Sequence, residues 1–179
     1  MTSHLYLVVL GGRINGCNVE LHDVRWVVGE TINDTIKTLK SEWFGDKKGL
    51  HIDSYRKIEN VDGMSVTVVH SPTVNAPMND NGLWFVNLGG YSNQAMAEQH
   101  EFGVVVARTA QSAKTIAKQR WLKGMIQIHK DDLHPINGDP IIDDLLPIEG
   151  NGRWHIRLTP STTEVSASMT PDWTGYWLI

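Results

Sequence analysis

The chain has 179 residues, a net charge of −4, 41% apolar residues and 20% charged residues, the profile of a globular protein that buries roughly 70% of its unfolded surface without staples. The mild acidic balance argues against binding a phosphate backbone, which draws on a basic patch; the single cysteine, Cys17, excludes an intrachain disulfide and fits a reducing, cytoplasmic setting. The apolar start at residues 1–10 is too short to span a bilayer and has no basic segment before it, so neither a membrane anchor nor a signal peptide is expected.

Residues 5–10 form a short apolar run that predicts a buried strand, and Gly11-Gly12 is read as the tight turn that ends it. In 20–28, Glu20, His22, Val24, Trp26 and Val28 alternate and share one face of a second strand. Thr31, with Asp34 at the capping-box position, starts a helix whose Ile32, Ile36, Leu39 and Trp43 follow at helical spacing. Strands at 50–58 and 64–70 follow, joined by Asn60-Val61-Asp62-Gly63, whose Asp-Gly signals a hairpin. A linker covers 71–82. The same order then recurs, with strands at 83–88 and 98–107, a helix at 109–122, and strands at 126–133 and 153–159. An insertion rich in Pro, Gly and Asp is expected at 137–152. The tail at 161–179 begins as a polar, mobile-looking stretch and ends in Trp173, Tyr176 and Trp177, which predicts docking on the body or on a partner.

The recurrence is an internal duplication. Shifted by 78 positions, LYLVVLGG at 5–12 falls on LWFVNLGG at 83–90, and no gap is needed through residue 55. About 15 of these 51 positions are identical, against roughly 3 for unrelated sequences of average composition. The expected fold is therefore α+β: a β-β-α-β-β unit at 1–70, repeated at 83–160, arranged as a pseudo-twofold body with β-grasp-like mixed sheets as one such arrangement.

The stretches LYLVVLGGRINGCNVELHDVRWVVGET, KKGLHIDSY, LWFVNLGGY and HKDD resemble a bacterial family catalogued as a domain of unknown function, number fifteen-forty-three. The resemblance covers about residues 5–160 and implies the duplicated layout. It implies no activity.

Apolar identities between the copies explain themselves as core; the polar ones are harder to assign to packing. Glu20 and His22, like Glu98 and His100, are two apart on a strand, so their side chains point the same way about 6.5–7 Å apart. His51 and Asp53, like His129 and Asp131, share that spacing. One pair of each kind would offer two imidazoles and two carboxylates, a set suited to Zn, Mn, Fe or Ni. The metal candidates are therefore His22, His51, Asp53, His100, His129 and Asp131. Asn15, Glu20, His22, Asn93, Glu98 and His100 are the candidates for lining a small-ligand site. The bland alternative is a set of hydrogen-bonded struts tying strand ends together.

Other signals are weaker. The glycine-rich segments at 11–16 and 89–93 precede strands rather than helix N-termini, which argues against a phosphate cradle. Cys17 is replaced by Ala95 in the second copy and reads as an inert small residue, although His22 is close enough in sequence to serve as a base. Lys114, Lys118, Arg120 and Lys123 read as the solvated face of the second helix. Three functional readings stay open: binding of a small ligand or divalent metal, an interaction module that accepts a partner strand at a free sheet edge, and an enzyme with His22 or His100 as general base. Nucleic acid and membrane are not expected partners.

Overall fold

The computed structural model describes residues 2–70, 81–125, 127–129, 132–136, 139–143, 145–148, 153–162 and 169–179, with those between 127 and 143 described through their backbone alone. The first repeat comprises β1 (His4–Gly12), β2 (Leu21–Gly29), α1 (Ile32–Glu42), β3 (His51–Ile58), β4 (Asn60–Val61) and β5 (Met64–Val69). The second comprises β6 (Gly82–Tyr91), β7 (Gln99–Ala107), α2 (Ala110–Arg120), β8 (Gln127–His129), β9 (Asp132–Ile136), β10 (Asp139–Asp143), β11 (Leu145–Pro147) and β12 (His155–Pro160). A last strand, β13 (Trp173–Leu178), closes the chain.

In the first sheet the order is β13-β3-β1-β2, and in the second β6 lies between β7 and a side shared by β8 and β11. Every pairing among the described residues is antiparallel. The mixed sheets of a β-grasp arrangement are therefore not what these residues form. A loop returns β2 antiparallel along one edge of β1, and α1 crosses over to lay β3 antiparallel along the other, so no parallel neighbour arises.

Alternation along β1 sorts its side chains to two faces. Tyr6, Val8 and Leu10 pack under α1 with Val27, Ile32, Leu39, Trp43, Leu50 and Ile52. Leu5 and Leu7 face the other way and join Ile58, Val61, Leu83, Phe85, Val104 and Ile148 in a core between the two sheets, where Trp26 and Phe85 lie 5.4 Å apart. A third core sits under α2, built from Val86, Leu88, Val105, Ala113, Ala117, Trp121 and neighbours. The layers are thus helix, sheet, sheet, helix, with the shared apolar layer binding the two copies together.

Both helices begin as predicted. The Thr31 N–H and hydroxyl each donate to Asp34 Oδ2 at 2.8 Å, and these bonds hold the Asp34 carboxyl below its ordinary range. Thr109 and Ser112 form the corresponding pair in α2, with Ser112 N–H donating to Thr109 Oγ1 at 3.2 Å. Thr35 occupies a core position of α1, and its hydroxyl is satisfied by the Ile32 carbonyl at 2.7 Å.

The copies are also tied by polar contacts. The Asp62-Gly63 turn has both φ angles positive, 51° and 75°, as a two-residue hairpin requires. Asp62 reaches into the second repeat, accepting from the Val106 N–H at 2.8 Å and pairing with Arg120 at 2.8 Å. Arg120, expected on a solvated face, is thereby drawn into an inter-repeat ion pair. β5 and β12 pair antiparallel with each other. No helix among the described residues is long and apolar enough to cross a membrane.

Candidate functional site

Gly11 occupies the centre of a three-strand row. It stands opposite His22 on β2 and opposite His51 on β3. Neighbouring strands lie about 4.8 Å apart, so the two histidines flank the glycine and close over it. A Cβ at position 11 would collide with His51 Nε2 and come within 3.0 Å of Asp53 Oδ2. Gly12 points the other way, where a Cβ would lie 2.7 Å from the Trp43 ring. Both glycines belong to β1 rather than to the turn expected from sequence; what they supply is the missing side chain, not a left-handed backbone.

A β-bulge brings in the fourth group. Val9 pairs with Ser54 and Leu10 with Ile52, so Asp53 is the extra residue of β3 and its carboxylate is re-aimed. His22 Nε2 lies 3.1 Å from Asp53 Oδ2, and His51 Nε2 lies 3.3 Å from Asp53 Oδ1. Glu20, one residue before β2, faces the same two nitrogens at 3.7 Å from His22 and 3.9 Å from His51. Glu20, His22, His51 and Asp53 thus form one cluster, all from the first repeat. His51 is 2% exposed, whereas the His22 side chain is half-exposed. The His51 Nδ1 lies 2.8 Å from the Gly49 carbonyl, and a carbonyl only accepts, so Nδ1 carries the proton. The positive φ of Gly49, 81°, presents that carbonyl.

Tyr176 completes the surroundings and was not legible as a site residue. Its ring lies over the His51 imidazole, centroid to centroid 4.1 Å with an interplanar angle of 32°. The terminal aromatics dock on the first repeat: Trp173 and Trp177 pack against the core under α1, and β13 pairs with β3.

The second repeat keeps the row at the level of its backbone, with Gly89 opposite both His100 and His129. His100 Nε2 lies 3.8 Å from Glu98 Oε2, its Nδ1 lies 3.3 Å from Asn87 Nδ2, and Tyr91 donates to Glu98 at 3.3 Å. The side chain of His129, and Asp131 altogether, lie outside the described residues. Asn15 and Asn93 are exposed in the β1–β2 and β6–β7 loops. Cys17 Sγ accepts from the Ile14 N–H at 3.4 Å within its loop.

Between the sheets, along the free edge of β2, runs a cleft of about 1020 Å³. His22 and His100 both line it, with Trp26, Phe85, Asn87 and Phe102. Among the described residues, no group of three or more His, Cys, Asp or Glu side chains is arranged to hold a metal ion as it stands. In the Glu20–Asp53 cluster the imidazoles and carboxylates touch one another instead.

Comparison with known proteins agrees with the duplication. The model of the family described as Domain of Unknown Function (DUF1543) matches twice, at residues 17–68 and 95–146. The crystal structure of a protein Il1583 from Idiomarina loihiensis is similar over 98% of this chain and 96% of that chain, with a TM-score of 0.70 and 29% sequence identity. No curated protein matches this sequence.

Proposed function

The chain belongs to the family described as Domain of Unknown Function (DUF1543), and on that premise we propose that it binds a divalent metal ion at Glu20, His22, His51 and Asp53, beside a cleft that admits a small ligand. One observation carries the reading. Because His51 Nδ1 donates to the Gly49 carbonyl, a neutral His51 turns the Nε2 lone pair toward carboxylate oxygens of Asp53 and Glu20 at 3.3 and 3.9 Å. Lone pair against carboxylate is repulsive unless something positive lies between them. That bridge is either a second proton or a cation.

Several features favour the cation. Bonds of about 2.0–2.2 Å at tetrahedral angles separate donor atoms by about 3.3–3.6 Å, and the nitrogen–oxygen separations here run from 3.1 to 3.9 Å. A backbone carbonyl on the far nitrogen of a histidine is the usual outer partner of a metal ligand. Two imidazoles with two carboxylates suit Zn, Mn, Fe or Ni. Small rotations about the side-chain torsions would convert the contacting donors into ligands, with release of protons on binding. The contact distances to Asp53 also favour a second reading, in which protonated imidazoles and carboxylates form charge-assisted struts and no ion enters.

Native mass spectrometry of the untagged chain after exposure to Zn, Mn, Fe or Ni salts separates the two. The expected result is one tightly held ion per first-repeat cluster. Its affinity should fall by about 100-fold or more in His51→Ala, and fall likewise in Gly11→Ala, whose new methyl group displaces the His51 ring. A bare polypeptide mass in all four metals, or equal ion uptake by wild type and both variants, would leave the strut reading standing.

A further inference from the structure

We infer that Tyr176 is a positioning residue of this cluster: its ring holds the His51 imidazole in the one orientation that turns Nε2 toward Glu20 and Asp53. The inference rests on the site proposed above and adds the C-terminal strand to it.

Without β13, β3 would be the edge of the first sheet and His51 would stand at an open border. β13 is clamped at both ends of its pairing with β3. Asp172 takes the Lys57 N–H at 2.7 Å on its side chain, and its own N–H donates to the Tyr55 carbonyl. The Ile179 N–H donates to the Leu50 carbonyl at 3.0 Å. Trp173 stacks on Tyr55 with 6.1 Å between centroids, and Trp177 meets Trp173 edge-on at 5.8 Å. Between these anchors the register slips. Thr174 pairs with Ser54 and Trp177 with Ile52, so Gly175 and Tyr176 stand against the single bulged residue Asp53. Two facing irregularities at the same level bring the Asp53 carboxylate and the Tyr176 ring to one imidazole.

Core packing does not account for this placement, because Tyr176 is 66% exposed while the ring it covers is 2% exposed. The Cβ–Cγ torsion of histidine is broad and roughly twofold. A half-turn would exchange Nδ1 for a ring carbon at the Gly49 carbonyl and swing Nε2 away from the carboxylates. That half-turn passes through a position perpendicular to the present plane. An aromatic ring at 4.1 Å occupies the space the swing needs.

The test compares wild type, Tyr176→Phe and Tyr176→Ala by ¹⁵N spectroscopy of the imidazoles without metal, and by Zn titration of the same full-length samples. Wild type and Tyr176→Phe should show a single set of His51 ring signals and equal Zn affinity. In Tyr176→Ala that set should average or split, and Zn affinity should fall about tenfold, with the thermal midpoint little changed because the side chain is mostly exposed. An alanine variant with the wild-type His51 signal and unaltered Zn affinity overturns the role of Tyr176 and leaves the metal site intact. Absence of Zn binding in all three samples removes Zn as the ion of the proposed site, and the ¹⁵N comparison still decides whether Tyr176 orients His51.

Discussion

The two repeats keep the same frame and differ at the same place in it. In the first, β3 runs beside β1 from His51 to Ile58, interrupted only by the bulge at Asp53. In the second, the matching side of β6 is taken by two pieces: β8 opposite Gly89–Tyr91 and β11 opposite Trp84–Val86. Among the described residues the pairing of β8 with β6 reaches His129, near the level where Asp53 bulges in the first copy, and β9 and β10 pair with each other. On the far side of β3 the first repeat gains β13 and Tyr176. The row of glycine between two histidines is therefore common to both copies, and what has diverged is the strand that carries the second histidine. A duplicated sheet preserves its central strand because that strand is buried on both faces; its outer strands are free to acquire insertions or covers.

The helices show the same divergence in packing. Leu39 of α1 is fully buried where α2 has Ala117, also fully buried. If each helix sits at the distance its own side chains set, the two cores are not interchangeable. Leu39→Ala should cost about 2–5 kcal/mol in urea unfolding, and Ala117→Leu should also destabilise, by about 1–3 kcal/mol, through overpacking. A stabilising Ala117→Leu would break the comparison by revealing spare volume under α2.

Asp62 tests how firmly the repeats are joined. Asp62→Ala removes the acceptor of the Val106 N–H and the partner of Arg120, for an expected loss of about 2–3 kcal/mol. Asp62→Asn keeps an acceptor and tolerates the positive φ, so its cost should be about 1 kcal/mol or less. Equal effects of the two would assign the whole contribution to charge.

The smallest effect separates the helix N-termini. Asp34 is ionised in its capping box and held below the usual carboxylate range by the two Thr31 bonds, whereas Ser112 in α2 carries no titratable group. A carboxyl lowered by folding contributes stability that is complete above its unfolded value of about 3.9 and is lost as pH falls through the lower folded value. Amide exchange between pH 5 and 2 should therefore show the first turn of α1 loosening with acid relative to the first turn of α2. Parallel behaviour of both turns would remove Asp34 as the cause.

Much of this was legible in the chain itself. The period-two pattern at 20–28 holds in β2, where His22 stands opposite Gly11 and Val24, Trp26 and Val28 pack between the sheets, and the Thr31 cap marks the start of α1. The pairs Glu20/His22 and His51/Asp53 were found through their recurrence. The readings that failed share one cause. Gly11 and Gly12 look like a turn because glycine is most often needed for its backbone freedom, yet here the neighbours His51 and Trp43 require its small size. Arg120 looks solvated because its partner, Asp62, lies 58 positions away in the other repeat. Tyr176 carries a local signal for docking but none for what it docks on, since the ring it covers lies more than 120 positions before it.

By itself the sequence determined the duplication, both helices, the strands β1 to β3, β5 to β7 and β12, and which side chains share a face, because these follow from periodicities of two and 3.6 along a single segment; it did not mark β10 and β11, which lie in the stretch read as an insertion, or β13, which lies in the tail. Only the tertiary structure decided which strands lie side by side. Placing β1 between β2 and β3 put Gly11 between His22 and His51, and placing β13 outside β3 put Tyr176 on His51. Those meetings depend on strand order and on bulge register, which are settled by burial of whole faces rather than by any residue's neighbours in the chain.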